Sequence, residues 1–253
     1  RPKSLKRLKM DKKEALKIAQ ESGRELENLP DEFKKDYEIV LEAVKNHGSA
    51  LEYADDSLKK DKEIVLIAVK HAGANLKYAD ESLKKDKEIV LEAVKENGHA
   101  LYNADAKLRD DKEIVLIAVK NVGSALEYAD ESLKKDKEIV LAAVKEYGKS
   151  LEYADESLKK DKEIVLEAVK NYTPALEHAD DSFKKDKKFI FEVIKEKGDA
   201  LEFIDDSLKI DKDFFLEVVN QGGRDDITGV YLEYADDSLK KDKEIVLAAV
   251  KLS

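Results

Sequence analysis

The sequence predicts an all-α fold, an α-solenoid of about ten 25-residue two-helix repeats, elongated and curved. Three observations predict it. The first is self-similarity: the segment DKEIVLIAVKHAGANLKYADESLKK at 61–85 returns with few changes at 86–110, 111–135, 136–160 and 161–185. Asp11, Asp36, Asp61, Asp86, Asp111, Asp136, Asp161, Asp186 and Asp211 fall 25 residues apart, after which the register slips by six to Asp242. The second is helical spacing of apolar residues inside each unit, bracketed by capping residues. The third is the absence of a proline- or glycine-rich linker between the units of 61–185.

Each element follows from its residues. Residues 1–10 form a basic lead-in or cap, carrying Arg1, Lys3, Lys6, Arg7 and Lys9, with Lys12 and Lys13 just beyond. The array occupies 11–253 as a single domain, with an insertion at 224–231 and a truncated last repeat. Within the unit starting at Asp61, the aspartate is an N-cap for the open N–H groups of a first turn, where Glu63 also suits the helix dipole. Ile64, Val65, Ala68 and Val69 form the apolar face, Lys70 lies near the last turn, and Gly73 is expected to end the helix in the left-handed conformation. A second element from Ala74 holds Leu76, Tyr78, Ala79 and Leu83. Asp80 can cap again within it, giving a short helix plus a 3₁₀ turn. One unit buries too few apolar side chains to offset the ordering of its backbone, so units must stack. Copies about 8–10 Å apart predict a rod on the order of 80–90 Å long.

Composition narrows the function. Apolar residues make up 42%, enough for a continuous core despite 41% charge. The 57 acidic and 47 basic side chains leave a formal net charge of −10, which repels phosphate and argues against nucleic acid. With no cysteine, disulfides and thiolate metal sites are excluded, and a reducing, intracellular compartment is the expectation. No signal-peptide pattern is present, and apolar runs of about six residues are far too short for membrane insertion. The chain starts at Arg1, so the numbering is expected to begin inside a longer or processed protein.

The pattern D-K-E-I-V-L-x-A-V-K-x-x-G-x-A-L-x-Y-A-D-x-S-L-K-x-D resembles the tandem helical repeats called domain of unknown function 4116, from about Asp11 to the C-terminus. The resemblance implies a helical repeat protein and brings no catalytic residues with it. Thr173-Pro174, the Phe-rich unit 186–210 and the insertion depart from the pattern.

Function is sought where near-identical copies differ. The positions flanking the glycine vary most, and in a solenoid they form one ridge: His47, His71, His99, Val122, Tyr147, Lys149, Tyr172 and Lys197. The ridge reads either as a partner-binding surface or as a relaxed solvent edge. A second row, Tyr53, Tyr78, Asn103, Tyr128, Tyr153, His178, Phe203 and Tyr234, reads as rings packed between repeats, with base or peptide stacking as the alternative. A third, Glu42, Ile67, Glu92, Ile117, Ala142 and Glu167, tolerates charge and is expected to be exposed. The insertion, with Arg224, Asp225, Asp226 and Thr228, reads either as a tolerated insertion or as a candidate contact loop.

The histidines stand at four different repeat positions and make no metal-binding spacing, and the Asp pairs lack a calcium-loop pattern. No nucleophile elbow, phosphate loop or dinucleotide motif occurs, so neither catalysis nor a cofactor is expected. The reading is a non-catalytic scaffold for protein–protein interaction, with a passive spacer as the alternative. Ile245, Val246, Ala249 and Val250 of the truncated repeat are expected to lack cover and to invite association there.

Overall fold

The computed structural model describes residues 10–221 and 231–251, and among them there are helices and turns but no strand. The chain packs as two compact units, 1–130 and 131–253, each built from the same repeat. In the first unit the helices Lys12–Glu21, Tyr37–Asn46, Lys62–His71, Lys87–Glu96 and Lys112–Asn121 pack each on the next. In the second, the helices Lys137–Glu146, Lys162–Asn171, Lys187–Ile194, Lys212–Gln221 and Lys243–Lys251 repeat the arrangement. A second layer within each unit is made of 3₁₀ helices, Gly48–Tyr53, Gly73–Tyr78 and Gly98–Asn103 in the first, and Gly148–Tyr153, Thr173–His178 and Gly198–Phe203 in the second.

The repeat is therefore an α-helix, a 3₁₀ helix and a capping turn, all-α as the pattern predicts. The 3₁₀ portion comes first, and the segment after Asp80 is the turn. Its spacing is set by the L-x-Y-A-D stretch, whose short run between extended residues suits a three-residue period. The caps form as expected. The Asp111 carboxylate accepts from the N–H groups of Glu113 (3.0 Å) and Ile114 (3.2 Å), and Asp161 does the same for Glu163 and Ile164. Ile64, Val65, Ala68, Val69 and Leu76 are fully buried, as are Ile139, Val140, Ala143, Val144 and Leu151 in the second unit. Each large aliphatic buried this way contributes about 2 kcal/mol.

Polar bonds join the copies. The Asp80 N–H donates to the Lys59 carbonyl and the Asp105 N–H to that of Lys84, both at 3.0 Å. In the second unit Asp180 and Asp205 make the same bond to Lys159 and Lys184. Lys62 forks to Asp86 and Glu88 of the following copy, and Lys137 to Asp161 and Glu163, at 2.8–2.9 Å. Exposed pairs of this kind are worth at most about 1 kcal/mol each, so they set register more than stability.

Three expectations need correction. Gly73 does not end its helix in the left-handed region. The C-cap is Ala72, in extended conformation (φ −162°, ψ 125°), and Gly73 begins the 3₁₀ helix with a φ outside the positive range. The glycine is required by contact: an added Cβ would overlap the carbonyl oxygen of Ala93 in the next copy, with Ala93 C and Asn97 N at 3.0 Å. The third row is half-buried, not exposed. Ile67 and Ile117 are half-buried, and Glu42 and Glu92 fold onto Lys45 and Lys95. In the last helix Ile245 and Ala249 are buried against Lys212–Gln221 and Val246 is half-buried. Of the four residues expected to lack cover only Val250 is exposed (66%), joined by Leu247 (48%).

Candidate functional site

The ridge is placed by the joint between the two layers. His47, Val122, Tyr147 and Tyr172 are the C-cap residues of their α-helices, His71 is the last helical residue of its copy, and His99 and Lys149 follow the first glycine of a 3₁₀ helix. The extended backbone at the cap turns these side chains out over the glycine of the preceding copy. A Cβ on Gly98 would stand 3.1 Å from that of Val122, and one on Gly148 would stand 2.9 Å from that of Tyr172. The glycine that lets copies approach also sets the ridge. His71, His99, Tyr147 and Tyr172 are exposed, while His47, Val122, Lys149 and Lys197 are half-buried.

Within the first unit, Arg24 Nε donates to His47 Nε2 at 2.9 Å, so that nitrogen carries no proton. Burial, then the nearby Arg24 and His71 charges, hold the His47 imidazole below its ordinary pKa. Farther along, His99 Nε2 lies 2.9 Å from Ser124 Oγ and its ring stands edge-on to Tyr128 at 6.0 Å. Tyr128 also meets Tyr102 at 5.2 Å, and Tyr102 is 65% exposed. Within the second unit the Tyr147 and Tyr172 rings stand 6.1 Å apart, tilted by 40°, with 42% and 37% of each residue exposed. Thr173 Oγ1 donates to Asp199 beside them.

Part of the variable region has a structural duty that its variability hides. Asn121 accepts from the Gly98 N–H (2.8 Å) and donates to the Lys95 carbonyl (3.1 Å), stapling its copy to the preceding one. Asn46 and Asn171 make the same two bonds. Copies with Glu96, Glu146 or Glu196 at this position lack the carboxamide that donates and accepts at once. The signal was present as asparagine recurring in some copies, but only the neighbouring copy gives it meaning.

The second row, from Tyr53 to Tyr234, is half-buried, the position expected of rings packed between copies. The first aspartate of each Asp pair is a cap: Asp55 accepts from both the Ser57 N–H and Oγ, which draws its carboxyl below the ordinary value. Among the described residues no three His, Cys, Asp or Glu side chains gather as a metal-holding group, and no helix is long and apolar enough to cross a membrane. The candidate loop residues Arg224, Asp225, Asp226 and Thr228 lie outside the described residues. Sequence reading missed a groove on the Phe-rich copy, where Lys187, Lys188 and Lys195 rim Phe191 and the Lys195 ammonium sits 5.0 Å from the ring centre.

The family model described as Domain of unknown function (DUF4116) matches the chain at 11–59, 61–109, 111–159, 136–184, 161–209, 186–225 and 211–253. Each match spans about two copies, and together they tile the array. Comparison with curated proteins and with solved structures returned no match.

Proposed function

The chain belongs to the DUF4116 family, and from that premise we propose that it is a non-catalytic scaffold that binds protein partners along the ridge beside its glycines. One observation carries this reading. The core row and the caps are nearly the same from copy to copy, while the ridge varies among His, Ala, Asn, Val, Tyr and Lys at its cap position and holds Tyr147 and Tyr172 out of the packing. Exposed aromatic pairs on a rigid frame are what protein interfaces use as anchors, because a tyrosine offers large area for little lost side-chain entropy. Against catalysis stands the regularity of the surface, since the same carboxylates recur in copy after copy already engaged as caps or ion pairs.

The test compares partners captured by the native chain with those captured by a Tyr147→Ala/Tyr172→Ala variant whose helicity is unchanged. Loss of a partner from the variant supports the ridge. An identical set of partners counts against it, and no partner for either chain favours a passive spacer.

A further inference from the structure

A different surface specifies its occupant more closely. On the 3₁₀ helices of the second unit the last two residues form adjacent rows: Glu177, Glu202 and Glu233 beside His178, Phe203 and Tyr234. The glutamates are exposed and the rings half-buried. The rows interlock between copies. His178 Nε2 lies 3.6 Å from the carboxylate of Glu152 in the preceding copy. Tyr234 has its hydroxyl pKa raised by burial, then by Glu202 of the preceding copy, Asp199 and its own Glu233. His178 thus has a carboxylate of the preceding copy beside it, and Tyr234 lies in the field of carboxylates from its own and the preceding copy. Among the described residues no lysine or arginine is ion-paired with Glu177, Glu202 or Glu233. Lys184 donates to the Glu177 carbonyl and pairs with Asp181.

The first unit shows what this lattice does with a cation. There Lys77 stands where most other copies carry glutamate, and its ammonium lies 4.5 Å from the centre of the Tyr78 ring, in the field of Glu52 from the preceding copy. That copy supplies its own cation, and the cation settles over the ring beside a carboxylate. The described copies of the second unit have glutamate at every such place and supply none.

We propose that the glutamate–aromatic stripe of the second unit binds an extended basic peptide, its arginine or lysine side chains seated over His178, Phe203 and Tyr234 between the flanking glutamates. The spacing fits. Copies lie about 8–10 Å apart, and a peptide in the extended polyproline II conformation advances about 9 Å per three-residue turn, so a basic residue at every third position faces the stripe and meets successive copies. Cation–ring contact beside carboxylates supplies the affinity, and the acidic surroundings speed encounter. The stripe adjoins the ridge, as His99 against Tyr128 shows in the first unit, but it uses different residues, and the Tyr147→Ala/Tyr172→Ala variant tells the two apart.

The test is fluorescence anisotropy of the full chain with a labelled peptide of about twelve residues bearing arginine at every third position. Controls are a peptide of the same composition with its arginines in one block, and one with glutamate for arginine. The spaced peptide is expected to bind, and the blocked one to bind several-fold more weakly. Glu177→Gln/Glu202→Gln should weaken binding about tenfold. Phe203→Leu/Tyr234→Leu, which keeps the charge, should weaken it about threefold. If the leucine variant fails to fold, the glutamine variant and the two peptides still decide. No binding, equal binding of the two basic peptides, or full binding by the glutamine variant overturns the proposal. Binding lost only in Tyr147→Ala/Tyr172→Ala also overturns it, while leaving the ridge standing.

Discussion

Replacing Gly73 by alanine separates two reasons for a glycine at the layer joint. If the backbone required a left-handed residue, alanine would cost about 1 kcal/mol and asparagine, which tolerates that conformation, would be the gentler substitute. The structure gives the other reason. The φ of Gly73 is open to any residue, but its missing Cβ makes room for the Ala93 carbonyl, with Ala93 C and Asn97 N at 3.0 Å. All three are backbone atoms of the next copy, so no rotamer change relieves the overlap. The two copies must part by on the order of 1 Å, which forfeits a quarter to a half of the dispersion energy at each contact along that joint. Overpacking of this kind costs about 1–3 kcal/mol. The chain carries its own comparison: where Thr173 replaces the glycine, the following helix Lys187–Ile194 stops at eight residues instead of ten. Urea unfolding followed by circular dichroism should show Gly73→Ala destabilised by that amount and Gly73→Asn by at least as much. A Gly73→Ala midpoint equal to the native one, or asparagine better tolerated than alanine, refutes the contact argument.

Asn121→Ala removes both bonds of the staple, one part-buried and one exposed, and should lower stability by about 1 kcal/mol in the same assay, whereas Glu146→Ala, at the equivalent position, should change it by less than about 0.5 kcal/mol. Ser150 is fully buried with no partner for its hydroxyl, where most other copies hold alanine, so Ser150→Ala should be neutral or stabilising by up to about 1 kcal/mol. His47 should titrate below 6.5 by NMR, and Arg24→Ala should raise its midpoint. Folding disfavours the protonated ring, so this group removes stability as pH falls through 6.5, and a midpoint above that value refutes the assignment. Asp161 and Asp211 are held below 3.8 mainly by Lys137 and Lys187, so their contribution is present above that value and lost as pH falls through the depressed pKa. Lys137→Met should therefore shrink the loss of stability measured between pH 4 and pH 2.

What the sequence makes legible is whatever repeats within one copy. Asp61 as cap, Ile64, Val65, Ala68 and Val69 as core, and the 25-residue period all follow from local rules, and the structure places them as read. What it hides belongs to the joint between copies. Gly73 resembles a helix terminator because its position after the last turn is the usual one, and only Ala93 of the next copy shows the true constraint. Charge at Glu42 and Glu92 suggested full exposure, yet each lies half-covered with its carboxylate turned to a lysine one turn away, so a polar end and a covered stem coexist. The asparagine staple and the lysine fork escaped notice for the same reason: one copy holds half of each bond.

This division bears on where recognition can evolve. A substitution in the core row must fit two neighbours, and one at the glycine must fit a backbone that cannot yield, so both rows stay nearly fixed across copies of this chain. Beyond the Cβ that lies over a neighbouring glycine, the ridge and the 3₁₀ stripe meet adjacent copies through the ends of their side chains, as in the His178–Glu152 and Tyr147–Tyr172 contacts. Each copy can therefore alter its ridge or stripe residue without disturbing the packing beneath. The cost of a change there falls on binding and hardly on stability, and this is why an unfolding experiment and a binding experiment on the same set of variants should rank them in opposite order.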